Sequence, residues 1–127
     1  MKWNEGKIVK WSREKLPDLS LRDERKKADL EANEFLQASG YIHTMEELAD
    51  FYITQVILAY RFNNPSAKVV CLLFKWAFIE NPDDEFTKAV DAKMDINDQR
   101  PFVKIDGEYR RVKAENEEFS LPKKEFD

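Results

Sequence analysis

Two adjacent, strongly apolar helical patterns between residues 44 and 80 constrain the fold of this chain more than any other feature of its sequence. The first pattern opens on Thr44 and Glu47, which have the Thr-x-x-Glu spacing of a capping box. In that motif the hydroxyl accepts a hydrogen bond from the N3 amide, and the carboxylate accepts one from the N-cap amide. The spacing therefore predicts a helix over residues 44–62.

The second pattern begins at Asn64 and Pro65, after a short polar interruption. An asparagine side chain is a good N-cap acceptor, and the fixed φ of proline suits the first helical position. The helix predicted over 65–80 carries only Lys68 and Lys75 as polar side chains in its interior. Because a helix this apolar is normally covered on most sides, one expectation is that neighbouring elements enclose it. The other is that the chain has more apolar surface than one subunit hides, which leaves a homodimer interface or a partner-binding patch.

Two further helices are predicted on either side of this stretch. A mostly apolar stripe that also contains Arg25 and Ser39 recurs at alternating spacings of four and three over 21–39, and Gly40 stands where a left-handed residue would end that helix. Asn81 and Pro82 repeat the asparagine-proline start signal. They predict a helix over 82–96, with acidic residues near the positive end of its dipole.

The β-structure is predicted at the two ends of the chain. Asp106 and Gly107 separate two short alternating segments within 102–112, which is a strong signal for a two-residue β-hairpin. Near the N-terminus, Gly6 and its polar neighbours lie between apolar residues. That pattern predicts a short N-terminal hairpin or an extended arm.

Together these patterns predict an α+β fold that is mainly helical, with about four helices, the C-terminal hairpin and the short N-terminal hairpin. The length fits a single domain over 1–127, long enough to bury a substantial core. Two alternatives stay open. The apolar run at 69–74 also fits a buried strand, and the alternation of charged and apolar residues over 114–127 predicts a weakly ordered tail.

No residues have the spacing of a catalytic, cofactor or metal site. His43 is the only histidine and Cys71 the only cysteine, which excludes an internal disulfide and a cysteine-based zinc site. The three glycines stand apart, so the chain has no phosphate-binding glycine loop. Acidic groups at 83–85 and 91–98 do not match the Ca²⁺ loop and are explained by helix-end electrostatics. We therefore predict no cofactor, no metal and no enzymatic activity.

The sequence also predicts a cytoplasmic protein without a membrane segment. The longest apolar run has six residues, far below the roughly 20 that a bilayer requires. The N-terminal residues are charged and turn-forming where a signal peptide would need an apolar run. A single cysteine fits a reducing compartment.

The charge distribution is uneven, and it points to binding. Residues 28–60 contain six acidic residues and no lysine or arginine, although the net charge of the whole chain is only −4. With a high aromatic content, this pattern predicts a small adaptor, inhibitor or regulatory factor that binds another protein, or forms a homodimer, through acidic and apolar surfaces. The predicted partner-binding residues are Glu31, Glu34, Asp50, Ile57, Leu58, Lys68 and Lys75.

Two other function classes remain alternatives. Basic residues of the first predicted helix and of the hairpin have the composition of a nucleic-acid-binding module, in which cations contact phosphates and an aromatic ring stacks on a base. An enzyme built around His43 is the second alternative, since histidine is the commonest general base. The candidate nucleic-acid-binding residues are Arg22, Arg25, Lys26, Lys27, Lys104, Tyr109, Arg110 and Arg111.

Overall fold

A computed structural model of the chain describes residues 1–80, 85–111 and 119. The described part is mainly helical with one β-hairpin, so the predicted fold class is confirmed, although there are five α-helices where four were predicted. No helix in the described ranges is long and apolar enough to cross a membrane. The elements are α1 Glu5–Lys15, α2 Leu21–Gln37, α3 Tyr41–Tyr60, α4 Pro65–Phe74, a π-helix Lys75–Ile79, α5 Glu85–Gln99, β1 Phe102–Ile105 and β2 Glu108–Arg111.

Helix α3 is the centre of the fold. Every residue from 52 to 59 is buried, and α1, α2, α4 and α5 all pack against this helix. An aromatic cluster joins four of the elements: the Phe86 ring lies 5.3 Å from Tyr52, 5.3 Å from Phe74 and 5.1 Å from Phe78. Rings at these distances bury large apolar areas, so the cluster anchors α5 to α3 and α4.

The N-terminal segment forms helix α1, and the predicted N-terminal hairpin is wrong. Asn4 is the N-cap of this helix, and its side chain accepts a hydrogen bond from the Lys7 amide. Ile8, Trp11 and Ser12 are buried at helical spacing against α3. The polar residues that were interpreted as a turn are therefore a helix start.

Hydrogen bonds from Arg61 connect the end of α3 to the end of α1. Its guanidinium donates to the carbonyl oxygens of Ser12 at 2.6 Å, Leu16 at 2.8 Å and Pro17 at 3.2 Å. These carbonyls lie at the C-terminal end of α1 and just beyond it, where the negative end of the helix dipole favours a cation. The planar guanidinium of Arg61 thus donates to three carbonyls at once, which the single ammonium group of a lysine cannot do with the same geometry.

Replacing Arg61 with methionine is expected to lower the free energy of unfolding by about 2 kcal/mol, because it strips charged donors from partly buried carbonyls. Urea denaturation measures the change. The matched Arg61→Lys variant keeps the charge but not the planar fork, and it should fall between the methionine variant and the wild type. If Arg61→Met were as stable as the wild type, the stabilising role of these hydrogen bonds would be refuted.

Helix α3 starts three residues earlier than predicted, and the capping box at Thr44 is wrong. The preceding residue, Gly40, has φ 81°, and its carbonyl accepts the Thr44 amide at 3.0 Å, so Thr44 lies inside the first turn. Glu47 pairs with His43 at 3.4 Å instead of capping the helix. Helix α2 ends at Gln37, and residues 38–40 link it to α3.

The start of α4 agrees with the sequence. The Asn64 side chain accepts a hydrogen bond from the Ala67 amide, and Pro65 occupies the first turn. Residues 69–74 are helical, so the strand alternative is wrong. The start predicted at Asn81 and Pro82 lies outside the described residues, and α5 is described from Glu85.

The C-terminal hairpin is confirmed. Ile105 pairs with Glu108 across the turn formed by Asp106 and Gly107, whose φ values of 52° and 80° suit a type I′ turn. The Phe102 ring packs edge-on against Trp11, with ring centroids 5.7 Å apart. The predicted tail at 114–127 lies outside the described residues except for Phe119, whose ring lies 5.5 Å from the Lys93 ammonium.

Acidic residues of α5 hold the first residues of the chain. The Asp91 carboxylate accepts the backbone amides of Lys2 at 2.9 Å and Trp3 at 2.7 Å. The Asp95 carboxylate accepts the Lys2 ammonium at 2.8 Å and the Trp3 indole at 2.9 Å. These contacts depress the pKa of Asp95 despite the opposing effect of its burial. The acids in 91–95 thus have a structural use that the sequence did not reveal.

Candidate functional site

The largest departure from the expected packing is the outer face of α4 and the π-helix. Here we define the α4 stripe as Val69, Leu72, Leu73 and Trp76, which are 57%, 43%, 54% and 63% exposed. Their spacing of three, four and seven residues places them on one helical face. The expectation that neighbouring elements enclose this helix is therefore wrong, since only its opposite face is buried.

The inner face of the same segment explains why the stripe lies outside. Ala67, Cys71 and Phe74 are the buried residues of α4, the helix that packs against α3, so the face opposite them is left to solvent. Beyond Phe74 the helix widens into a π-turn, in which the Glu80 amide donates to the Lys75 carbonyl at 2.9 Å. Such turns insert an extra residue into a helix and are frequent at functional sites.

Two lysines border the α4 stripe. Lys68 contacts the Asn63 side-chain oxygen, and Lys75 lies 3.8 Å from the Glu80 carboxylate. Both were predicted as partner-binding residues, and both lie beside the stripe in sequence. Ile57 and Leu58, predicted with them, are buried in the core. Their surface placement is therefore wrong, because α3 is covered on all sides along that turn.

The predicted acidic surface is mostly an internal network. Glu31 and Asp50 are buried, and of the three predicted acids only Glu34 is exposed. Lys93 of α5, itself buried, lies 2.8 Å from Glu46 and 3.2 Å from Asp50. The acidic pattern of α2 and α3 thus serves helix packing, with a lysine from a distant part of the chain as the counter-charge.

Glu47 is an acid of this network whose pKa is strongly shifted. Burial, a hydrogen bond with Glu34 and the nearby Asp50 raise the pKa of Glu47 to about 7. Oxygens of Glu31, Glu34 and Glu47 lie within 4.8 Å of one another, as do those of Glu46, Glu47 and Asp50. Lys93 offsets the charge of the second set through its contacts with Glu46 and Asp50.

This pKa predicts that acidification stabilises the protein near neutral pH. The folded pKa of about 7 exceeds the ordinary value of 4.5, so stability should rise as the pH falls from 8 to 5. We expect a gain of about 1–2 kcal/mol after allowance for solvent screening. Urea titrations across this range measure it, and Glu47→Gln should flatten the curve.

The control for that experiment is His43→Gln, which removes the histidine that pairs with Glu47. We expect this variant to keep most of the pH dependence, because burial and then the neighbouring carboxylates, rather than His43, raise the pKa of Glu47. Equal flattening in both variants would contradict the assignment to Glu47.

The residues of the two alternative functions are placed as follows. Cys71 is fully buried, and burial raises the pKa of its thiol to about 12, so it is protonated at neutral pH. His43 is exposed on α3. Lys26 and Arg110 both contact Glu108, at 3.2 and 3.4 Å, and Lys104 lies 3.6 Å from Asp18. The other described nucleic-acid candidates are the exposed Arg22 and Arg25 and the half-buried Lys27 and Tyr109, whereas Arg111 is described only as part of β2.

Comparison of the chain with protein-family models, curated proteins and solved structures finds no match. Sequence reasoning missed the four residues of the α4 stripe, although their helical spacing and the adjacent Lys68 and Lys75 were visible signals. It also missed Lys93, for which no local pattern gives a signal.

Proposed function

We propose that this chain is a non-enzymatic protein-binding module and that its partner docks on the α4 stripe. The observation that carries the proposal is the contiguous exposure of two leucines, a valine and a tryptophan on one helical face. Isolated exposed apolar residues are ordinary, but a continuous exposed face marks an interaction surface. An adaptor, an inhibitor and a regulatory factor all act by this kind of binding.

The chemistry of the stripe specifies a complementary surface on the partner. An amphipathic helix that presents positions i, i+3, i+4 and i+7 fits an apolar groove. Lys68 and Lys75 at the border favour a groove edged with acidic side chains, since rim charges steer association and set its orientation. Trp76 is the expected anchor, because tryptophan is enriched among residues that dominate binding energy.

Photocrosslinking tests the position of the interface. A photoreactive phenylalanine analogue replaces Leu73 in the full chain, which is then irradiated in the cell it comes from and examined by mass spectrometry. Leu36 on α2 supplies the matched control, since it is also an exposed leucine but lies outside the stripe. We expect a specific protein adduct from position 73 and none from position 36. Equal labelling from both positions, or an adduct with a second copy of this chain alone, would contradict the proposal.

A further inference from the structure

A second surface feature, separate from the α4 stripe, lies between α2 and the hairpin. Here the structure has a cleft of about 370 Å³, a volume within the range of small-molecule sites. It shares no residue with the stripe. Its apolar walls are Leu16, Leu19, Leu30, Phe102 and Tyr109.

The most unusual group in the cleft wall is Glu24. Its side chain is only 1% exposed, and its Oε1 atom is buried without a hydrogen-bond partner. Burial raises the pKa of this carboxyl, although the charges of Lys27 and Arg61 oppose the shift. The Arg61 guanidinium donates to backbone carbonyls at the end of α1 instead. A buried acceptor without a donor is destabilising, and a ligand that supplies the donor would remove that cost.

The charge of the lining favours a cationic donor. Five acidic residues and three basic residues line the cleft. Two of the three bases, Lys26 and Arg110, share one partner, Glu108, at 3.2 and 3.4 Å. The Lys26–Glu108 pair connects α2 and the hairpin at the cleft, and acidic side chains outnumber basic ones in the lining.

From these observations we infer that the cleft binds an organic cation, with an ammonium or guanidinium group donating to Glu24 and an apolar body against Phe102 and Tyr109. A free amine and a lysine or arginine side chain of a peptide present the same chemistry. The inference does not depend on the proposed function, because the two surfaces have no residue in common.

Titration of the ¹⁵N-labelled full chain with phenethylamine at pH 7, followed by NMR, tests the inference. We expect saturable shifts in α2 and in the hairpin. Phenylethanol, which has the same phenylethyl group but a neutral hydroxyl in place of the ammonium, should bind at least tenfold more weakly. A capped Phe-Lys dipeptide forms the second arm: tighter binding than phenethylamine assigns the site to a peptide side chain, and weaker binding assigns it to a free amine.

Variants test whether the Glu24 carboxylate itself binds the amine. Glu24→Gln should bind phenethylamine at least tenfold more weakly, and Asp29→Asn, an exposed acid on the same helix outside the cleft, should bind as the wild type does. Leu30→Trp narrows the cleft at an exposed position and should also weaken binding, which provides a test if Glu24→Gln fails to fold. The absence of saturable shifts at 10 mM amine (roughly the upper limit for a specific fragment site), or equal binding by phenylethanol, would overturn the inference.

Discussion

Simultaneous replacement of Leu72, Leu73 and Trp76 by serine is expected to weaken binding of the protein partner at least 100-fold without unfolding the chain. Each side chain is largely exposed in the free protein, so its loss removes little from the core. In a complex the same side chains would be desolvated, where an anchor residue contributes about 2 kcal/mol or more. Calorimetry with the partner identified by crosslinking measures the affinity, and urea denaturation measures the stability.

A matched variant shows whether the effect belongs to the stripe. Leu36→Ser, Ile42→Ser and Ile105→Ser remove three exposed apolar side chains from other parts of the surface. This variant should bind the partner as the wild type does. If both triple variants lost the partner to the same degree, general surface apolarity rather than the stripe would explain the binding.

Replacement of Phe86 by alanine is expected to have the largest effect on stability, a loss of about 3–5 kcal/mol. The ring is buried and contacts Tyr52, Phe74 and Phe78, so its removal leaves a cavity where α3, α4 and α5 meet. Urea denaturation monitored by circular dichroism measures the loss. The free energy of unfolding of a domain of this size is only about 5–15 kcal/mol, so the Phe86→Ala variant should be marginally folded.

The graded control is Phe86→Leu, which fills most of the cavity and should cost about 1–2 kcal/mol. Phe62→Ala is the surface comparison, since that ring is only partly buried at the end of α3. A loss below about 1 kcal/mol for Phe86→Ala would show that the aromatic cluster does not hold α5 to the rest of the fold.

Features that depend on neighbouring residues were predictable from the sequence. The Asp106-Gly107 turn and the Asn64-Pro65 helix start are both present in the structure. In each, the backbone conformation is dictated by the residues that adopt it, through positive φ in the turn and side-chain capping in the helix. Tertiary contacts have little opportunity to override such signals.

Local signals failed where two interpretations had the same residue pattern. Asn4 begins a helix, yet an asparagine near a glycine is equally typical of a turn. Thr44 has the spacing of a cap, but α3 continues past it to Tyr41 because Gly40 provides the positive φ at which the chain turns. Only the packing of the resulting helices distinguishes the alternatives.

The candidate site was the least predictable part of the molecule. The apolar content of α4 is evident from the sequence, but which of its faces stays uncovered depends on how many helices surround it. The position of Asp50 depends in the same way on Lys93, which is distant in sequence and close in the fold. Long-range contacts therefore decide which predicted residues lie on the surface.

Fluorine NMR of the chain labelled with 5-fluorotryptophan most directly tests the claim that the α4 stripe binds a protein partner. The three tryptophans give separate reporters, of which Trp76 is exposed and Trp11 is buried. On addition of the partner, we predict that the Trp76 resonance shifts and loses its solvent isotope effect, while the Trp11 resonance stays in place. A complex that forms while Trp76 remains fully exposed to solvent would contradict the claim.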